Sequence, residues 1–118
     1  MIDGANHAFV DRYSVPHAAL GIVFQASRIS PALAIGSHVA FEAVEDDIKH
    51  ALRHVWPDAR PDGMENHVGD VACFTVGYAA GAALAESETG KVLLTAFVAL
   101  GAGIWAWSLL NRRTPFSP

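Results

Sequence analysis

VLLTAFVALGAGIWAWSLL, residues 92–110, runs for nineteen positions without an ionisable side chain and is followed at once by Asn111-Arg112-Arg113. As a helix it would be about 28 Å long, close to the roughly 30 Å hydrocarbon core of a bilayer. Trp105 and Trp107 near its end, then the arginine pair, are the residues a membrane–water interface selects. In a chain of 118 residues there is little other protein to bury such a helix on all sides. The stretch therefore reads as a membrane helix. Trp105, Trp107, Arg112, Arg113 and, earlier in the chain, Trp56 are its expected interface anchors.

The composition agrees. Hydrophobic residues make up 52% and charged residues 17%, against about 25% charged in an average soluble domain. A net charge of −4, with no basic stripe, argues against nucleic acid as a partner. Cys73 is the single cysteine, which rules out an internal disulfide and leaves no second thiol for a metal motif. Set in an apolar run, it is expected to behave as a small buried hydrophobe. The start of the chain shows no basic segment followed by an apolar one, so no cleavable leader is expected.

Working outward, Pro16 after Ser14 opens a first helix that runs to Arg28 or Ile29. Ser30-Pro31 repeats the cap-then-proline signal and opens a second. Along the latter's far half Val44, Ile48, Ala51, Leu52, Val55 and Trp56 recur at helical spacing. Asp46, Asp47, Lys49, His50, Arg53 and His54 lie opposite, so an amphipathic extension is expected until Pro57 ends it. A loop follows, then helices over 65–85 and 91–111, with 86–90 as a turn. The predicted fold is all-α: one polytopic membrane domain over 1–118, made of a helical hairpin (16–56) and two further short helices, with an extension and loop at 46–64. Alternating helices put Arg12, Lys49, Arg53, Arg60, Arg112 and Arg113 on one side and only Arg28 and Lys91 on the other. That bias predicts both termini and the 46–64 connection on the cytoplasmic side.

Ionisable groups inside apolar segments are costly and call for a reason. His38, Glu42 and Glu45 stand at i, i+4 and i+7 on one face of the second helix. Asn66 and Asp70 stand at i and i+4 on the third, and His17 opens the first. In the alternating topology His17, Glu42, Glu45, Asn66 and Asp70 converge near the cytoplasmic interface, with His38 about one turn deeper. They are the candidate catalytic residues. His38, Glu42, Glu45 and Asp70 are the candidate metal ligands, offering hard oxygens and an imidazole. The leading expectation for these groups is a buried polar network that fixes helix register. His50, His54 and His67 read as solvated. Small residues at four-residue spacing, Gly77, Gly81 and Ala85 on the third helix and Ala99 and Gly103 on the fourth, predict close packing of those two helices.

Glu42-x2-Glu45, Asp62, Asn66-x2-Gly69-Asp70, Gly77 and the histidine at position 17 resemble the VanZ-like group of small bacterial membrane proteins. The resemblance covers about residues 14–85. The chain departs from the pattern at Glu45, in its ENHVGD run and in the long stretch 46–56. Membership would imply a multi-pass protein of the bacterial inner membrane. Some relatives are associated with glycopeptide resistance.

No nucleophile elbow, phosphate-cradling loop or dinucleotide fingerprint is present. The leading expectation is a non-catalytic accessory or structural subunit of a larger membrane complex. Its partners would be membrane lipids and other subunits or further copies of itself, with no cofactor, though a bound lipid is compatible. The alternative is a VanZ-like membrane enzyme or lipid-binding protein using the carboxylate/His cluster, with Arg53 or Arg60 offered to a phosphate headgroup.

Overall fold

The computed structural model describes residues 5–116. It contains four helices: α1 Ser14–Ala26, α2 Pro31–Ala51, α3 Met64–Leu84 and α4 Glu88–Leu110. The expected siding of the chain ends falls on residues 1–4 and 117–118, outside the described residues.

The helix starts follow local capping chemistry. Ser30 accepts a hydrogen bond from the Leu33 backbone N–H (3.3 Å), and Pro31 fills the first helical position. Ser14 is not a cap. Its hydroxyl accepts from the Asp11 N–H (2.9 Å), and α1 already begins at that residue. The 86–90 run, expected as a turn, starts α4, because Ser87 Oγ accepts from the Gly90 N–H (2.9 Å). α2 stops at Ala51, so the expected amphipathic extension to Trp56 is instead a series of turns. Trp56 packs edge-on against Phe116 (5.6 Å between ring centres).

Two helices end in the same way. Ile29 N–H bonds back to the Phe24 carbonyl and Arg28 N–H to Gln25, with Arg28 left-handed at φ 60°. Arg113 to Ser108 and Arg112 to Leu109 repeat the pattern, with Arg112 at φ 54°. This reverse turn normally takes glycine, and an L side chain there costs roughly 1 kcal/mol.

The helices alternate in direction, but the closest partners are not neighbours in sequence. α1 packs most extensively against α3, and the two run parallel: Ala18 lies beside Gly77 and Gln25 beside Gly81. A Cβ at Gly77 would run into the Ala18 carbonyl, and one at Gly21 into that of Phe74, so the backbones touch where a side chain is missing. The expected pairing of α3 with α4 through small residues is therefore corrected. Gly77 and Gly81 serve α1, Ala85 is the C-cap of α3, and Ala99 and Gly103 lie on the exposed side of α4 with nothing within 4 Å of a Cβ at Gly103. α4 meets α1 instead at Gly101, against Ala19.

Its other fastening is polar. Buried Ser108 Oγ lies 2.9 Å from the buried Tyr13 hydroxyl and 3.0 Å from the Ile104 carbonyl. With one proton, it donates to Ile104 and accepts from Tyr13. Ser108→Ala leaves the tyrosine hydroxyl buried without its partner and is expected to cost about 1–3 kcal/mol, read as a lowered midpoint in detergent unfolding.

On α2 and α4 the burial pattern differs from that of a helix in a water-soluble core. α2 turns Ala34, His38, Glu42, Glu45 and Lys49 inward and Leu33, Val39 and Val44 outward. α4 is the one described helix long and apolar enough to cross a bilayer, and 11% of its apolar window is buried. A soluble protein's core helix would be mostly covered.

Candidate functional site

The inward faces of α1, α2 and α3 meet around the Glu42 carboxylate. From α1, His17 Nδ1 lies 3.1 Å from His38 Nε2 and 4.0 Å from Glu42 Oε1, and His38 Nε2 lies 3.5 Å from the same oxygen. From α3, His67 Nδ1 sits 2.7 Å from the other oxygen, Glu42 Oε2, and 3.8 Å from Glu45 Oε2. Two sets result, His17/His38/Glu42 and Glu42/Glu45/Asp62/His67, with the donor atoms of each within 4.8 Å of one another. Glu42 belongs to both, one oxygen to each.

Two of the histidines are held from behind. His17 turns Nε2 toward Asp70 Oδ2 (3.2 Å) and the Phe116 carbonyl (3.2 Å). His67 turns Nε2 toward Asp46 Oδ2 (3.3 Å). His38 is stacked flat on Phe74, with ring centres 4.3 Å apart and planes 7° apart. Carboxylate or carbonyl behind an imidazole, with its other nitrogen aimed at a shared point, is how metal-binding histidines are oriented.

The buried acids here outnumber the buried amines, and either protons or a cation can offset the excess. Among the described residues Glu42, Glu45, Asp62 and Asp70 are buried carboxylates, and Lys49 is the buried amine, 2.8 Å from Asp62 Oδ2 and 3.9 Å from Glu45 Oε1. Glu42 Oε1 and both oxygens of Glu45 are buried without a hydrogen-bond partner, whereas Asp70 Oδ2 has His17 Nε2 at 3.2 Å. Each such acceptor costs about 1–3 kcal/mol, and more when charged. The ammonium sits on the Asp62/Glu45 side, leaving the His17/His38/Glu42 side without one.

Atoms bonded at about 2.1 Å to one zinc-like ion stand roughly 3.0–3.5 Å apart. The His17–His38 and His38–Glu42 separations, 3.1 and 3.5 Å, fall in that range. The His17–Glu42 separation, 4.0 Å, must close by about 0.5 Å for all three to share one ion. Two imidazoles and one carboxylate leave a position open for water or substrate.

Of the expected residues, His17, His38, Glu42, Glu45 and Asp70 come together. Asp70 stands behind His17 instead of among the donors, and His17 takes the ligand place. Asn66 is turned away: its amide donates to the Ala8 carbonyl (2.6 Å) and Asp11 Oδ2 (3.1 Å), tying the N-terminal segment to α3. Cys73 is only half-buried. His67, expected to be solvated, is a member of the site, as are Asp62 and, as supports, Asp46 and Lys49. Continuing the α2 stripe past Glu45 to Asp46 and Lys49 was the available signal.

On the α1/α2/α4 side the centre borders an apolar cavity of about 440 Å³, with His17 and His38 in its wall beside Phe41, Trp105 and Phe116. Comparison of the chain with protein-family models, curated proteins and solved structures gives no match.

Proposed function

We propose that this chain is a small multi-pass protein of the cytoplasmic membrane whose working part is a divalent-metal centre held by His17, His38 and Glu42, with a second, adjoining position at Glu42, Glu45, Asp62 and His67. The observation that carries the reading is the set of unpartnered buried carboxylate oxygens facing histidines already oriented from behind. The inward polar faces, the outward valines and leucines and the bare flank of α4 support membrane embedding. So does the grouping of Arg12, Arg60, Arg112 and Arg113 around one cavity and of Arg28 and Lys91 around another.

A divalent ion with an open position supplies a Lewis acid and a water that ionises near neutral pH. Glu45, wholly buried beside Glu42, is placed to take a proton. The reaction class this favours is metal-assisted hydrolysis or group transfer, the enzyme alternative over a purely structural subunit. Membership of the VanZ-like group is part of the same proposal: of the residues that carry the resemblance, His17 and Glu42 would be ligands and Asp70 stands behind His17.

The test is metal analysis of the full chain purified in mild detergent, loaded with zinc, manganese or iron(II) and dialysed. We expect one to two tightly held ions per chain. Removing them with a chelator should lower the unfolding midpoint, by about 2.7 kcal/mol of stability at a hundredfold excess over the dissociation constant. A chain that retains no ion and is indifferent to chelator removes the proposal.

A second reading keeps one foothold. Ala99, Ala102, Gly103 and Ala106 form an exposed small-residue face on α4, suited to a helix of another subunit or copy. Native gel migration of the same preparation reports on it directly.

A further inference from the structure

Beside the metal centre lies a second cavity, of about 270 Å³, whose walls include Arg12, Arg60, Arg112 and Arg113, with Asp58 as the carboxylate among them. Four arginines and one aspartate among the lining residues make this a cationic, solvent-facing pocket in a chain whose net charge is −4. Arginine's planar fork is the group that matches phosphate oxygens two at a time.

The pocket's surroundings are built. Arg12 is stacked between aromatic rings, its guanidinium carbon 5.2 Å from the ring centres of both Tyr13 and Trp107. Arg112 occupies a left-handed position that glycine would fill at lower cost. The backbone at Arg60 is fixed by its carbonyl, which accepts from Lys49 Nζ (3.0 Å), while its side chain is exposed. Arg53, the other residue offered to a headgroup by the sequence, is exposed and does not line the pocket.

The apolar cavity begins where this pocket ends. Thr114 lines the cationic pocket, and the next two residues, Pro115 and Phe116, line the apolar one, with the Phe116 carbonyl on His17 Nε2. Charge and apolar surface thus meet across three residues of chain, beside the histidines. We infer that the pair of cavities binds a lipid bearing a terminal phosphate, with the phosphate among Arg12, Arg60, Arg112 and Arg113 and the hydrocarbon chain in the groove lined by Phe41, Trp105 and Phe116. This names a substrate class for the proposed centre. It rests on the membrane reading, and its binding step is measured on metal-free protein so that it succeeds or fails apart from the metal.

The test is titration of the full chain, metal-free in maltoside micelles, with dioleoyl phosphatidic acid, counting bound lipid by native mass spectrometry. Dioleoylglycerol supplies the chains without the phosphate, and inorganic phosphate supplies the phosphate without the chains. One phosphatidic acid per chain is expected, bound at least about tenfold more tightly than either control. Arg112→Gly should weaken it about 10–100-fold, the worth of one or two charged hydrogen bonds. Because glycine suits that backbone position, its unfolding midpoint should not fall. Arg53→Ala should bind as the unaltered chain does. Equal binding of phosphatidic acid and dioleoylglycerol, or undiminished binding by Arg112→Gly, overturns the inference. Inorganic phosphate binding as tightly as the lipid also overturns it, since the pocket would then serve a soluble anion.

Discussion

Glu42→Gln protein is expected to reach the membrane in normal amount and to come away from it without its metal. The substitution keeps the side chain's size and exchanges one carboxylate oxygen for an amide that cannot ligate through nitrogen at neutral pH. Because Glu42 gives one oxygen to each donor set, both positions should fail together. Groups that merely orient a ligand are worth about 10–100-fold in metal affinity, so loss of a shared ligand should cost at least about 100-fold by equilibrium dialysis. The metal-free fold should respond with the opposite sign. An acid whose charged form is disfavoured by burial is replaced by a neutral amide, and an amide donor appears beside the unpartnered oxygens of Glu45. A midpoint unchanged or raised, by roughly 1–3 kcal/mol, is expected for Glu42→Gln without metal. Wild-type metal occupancy in this variant would show that the carboxylate is a structural member only.

Gly77→Ala should be among the most damaging single-methyl changes at the described glycines. The added carbon meets the Ala18 carbonyl, a backbone atom in the middle of α1 that cannot swing aside. The helices must separate, at about 1–3 kcal/mol or more after any gain in helix propensity. Gly103→Ala is the matched control: nothing lies within 4 Å of its Cβ, so only the propensity gain of roughly 0.5–1 kcal/mol should appear. Unfolding midpoints in one detergent compare the two. If both variants gain stability, the α1/α3 contact is looser than described.

Much of the architecture could be read before any coordinates. Ser30-Pro31 placed the start of α2, and the i, i+4, i+7 spacing of His38, Glu42 and Glu45 put them on one inward face. Two kinds of information were missing from local pattern. Small-residue spacing says that a helix can be approached closely but does not say by which neighbour, and so Gly77 was assigned to α4 when α1 takes it. Hydrophobic periodicity assumes that apolar means inward. On α2 the apolar face that holds Val44 is exposed, and Lys49 from the opposite, polar face is buried, where it meets Asp62 and Glu45. His67 was set aside as solvated for a related reason. Its partners, Glu42 and Asp46, lie 25 and 21 residues away on another helix, and nothing in the run ENHVGD announces them.

The parallel embrace of α1 by α3 also orders events during synthesis. Ser14 and Met64 begin these helices about 50 residues apart, and at ribosomal speed that gap lasts on the order of seconds. Throughout it α1, 13 residues long, has beside it only an α2 that it scarcely touches. His17, His38 and Glu42 are all made early, yet they gain their shared geometry only when the third helix arrives to press them together. Nascent chains interrupted before Leu84 should therefore hold most of the ligands and none of the site, which leaves ion capture as a late, nearly post-translational step.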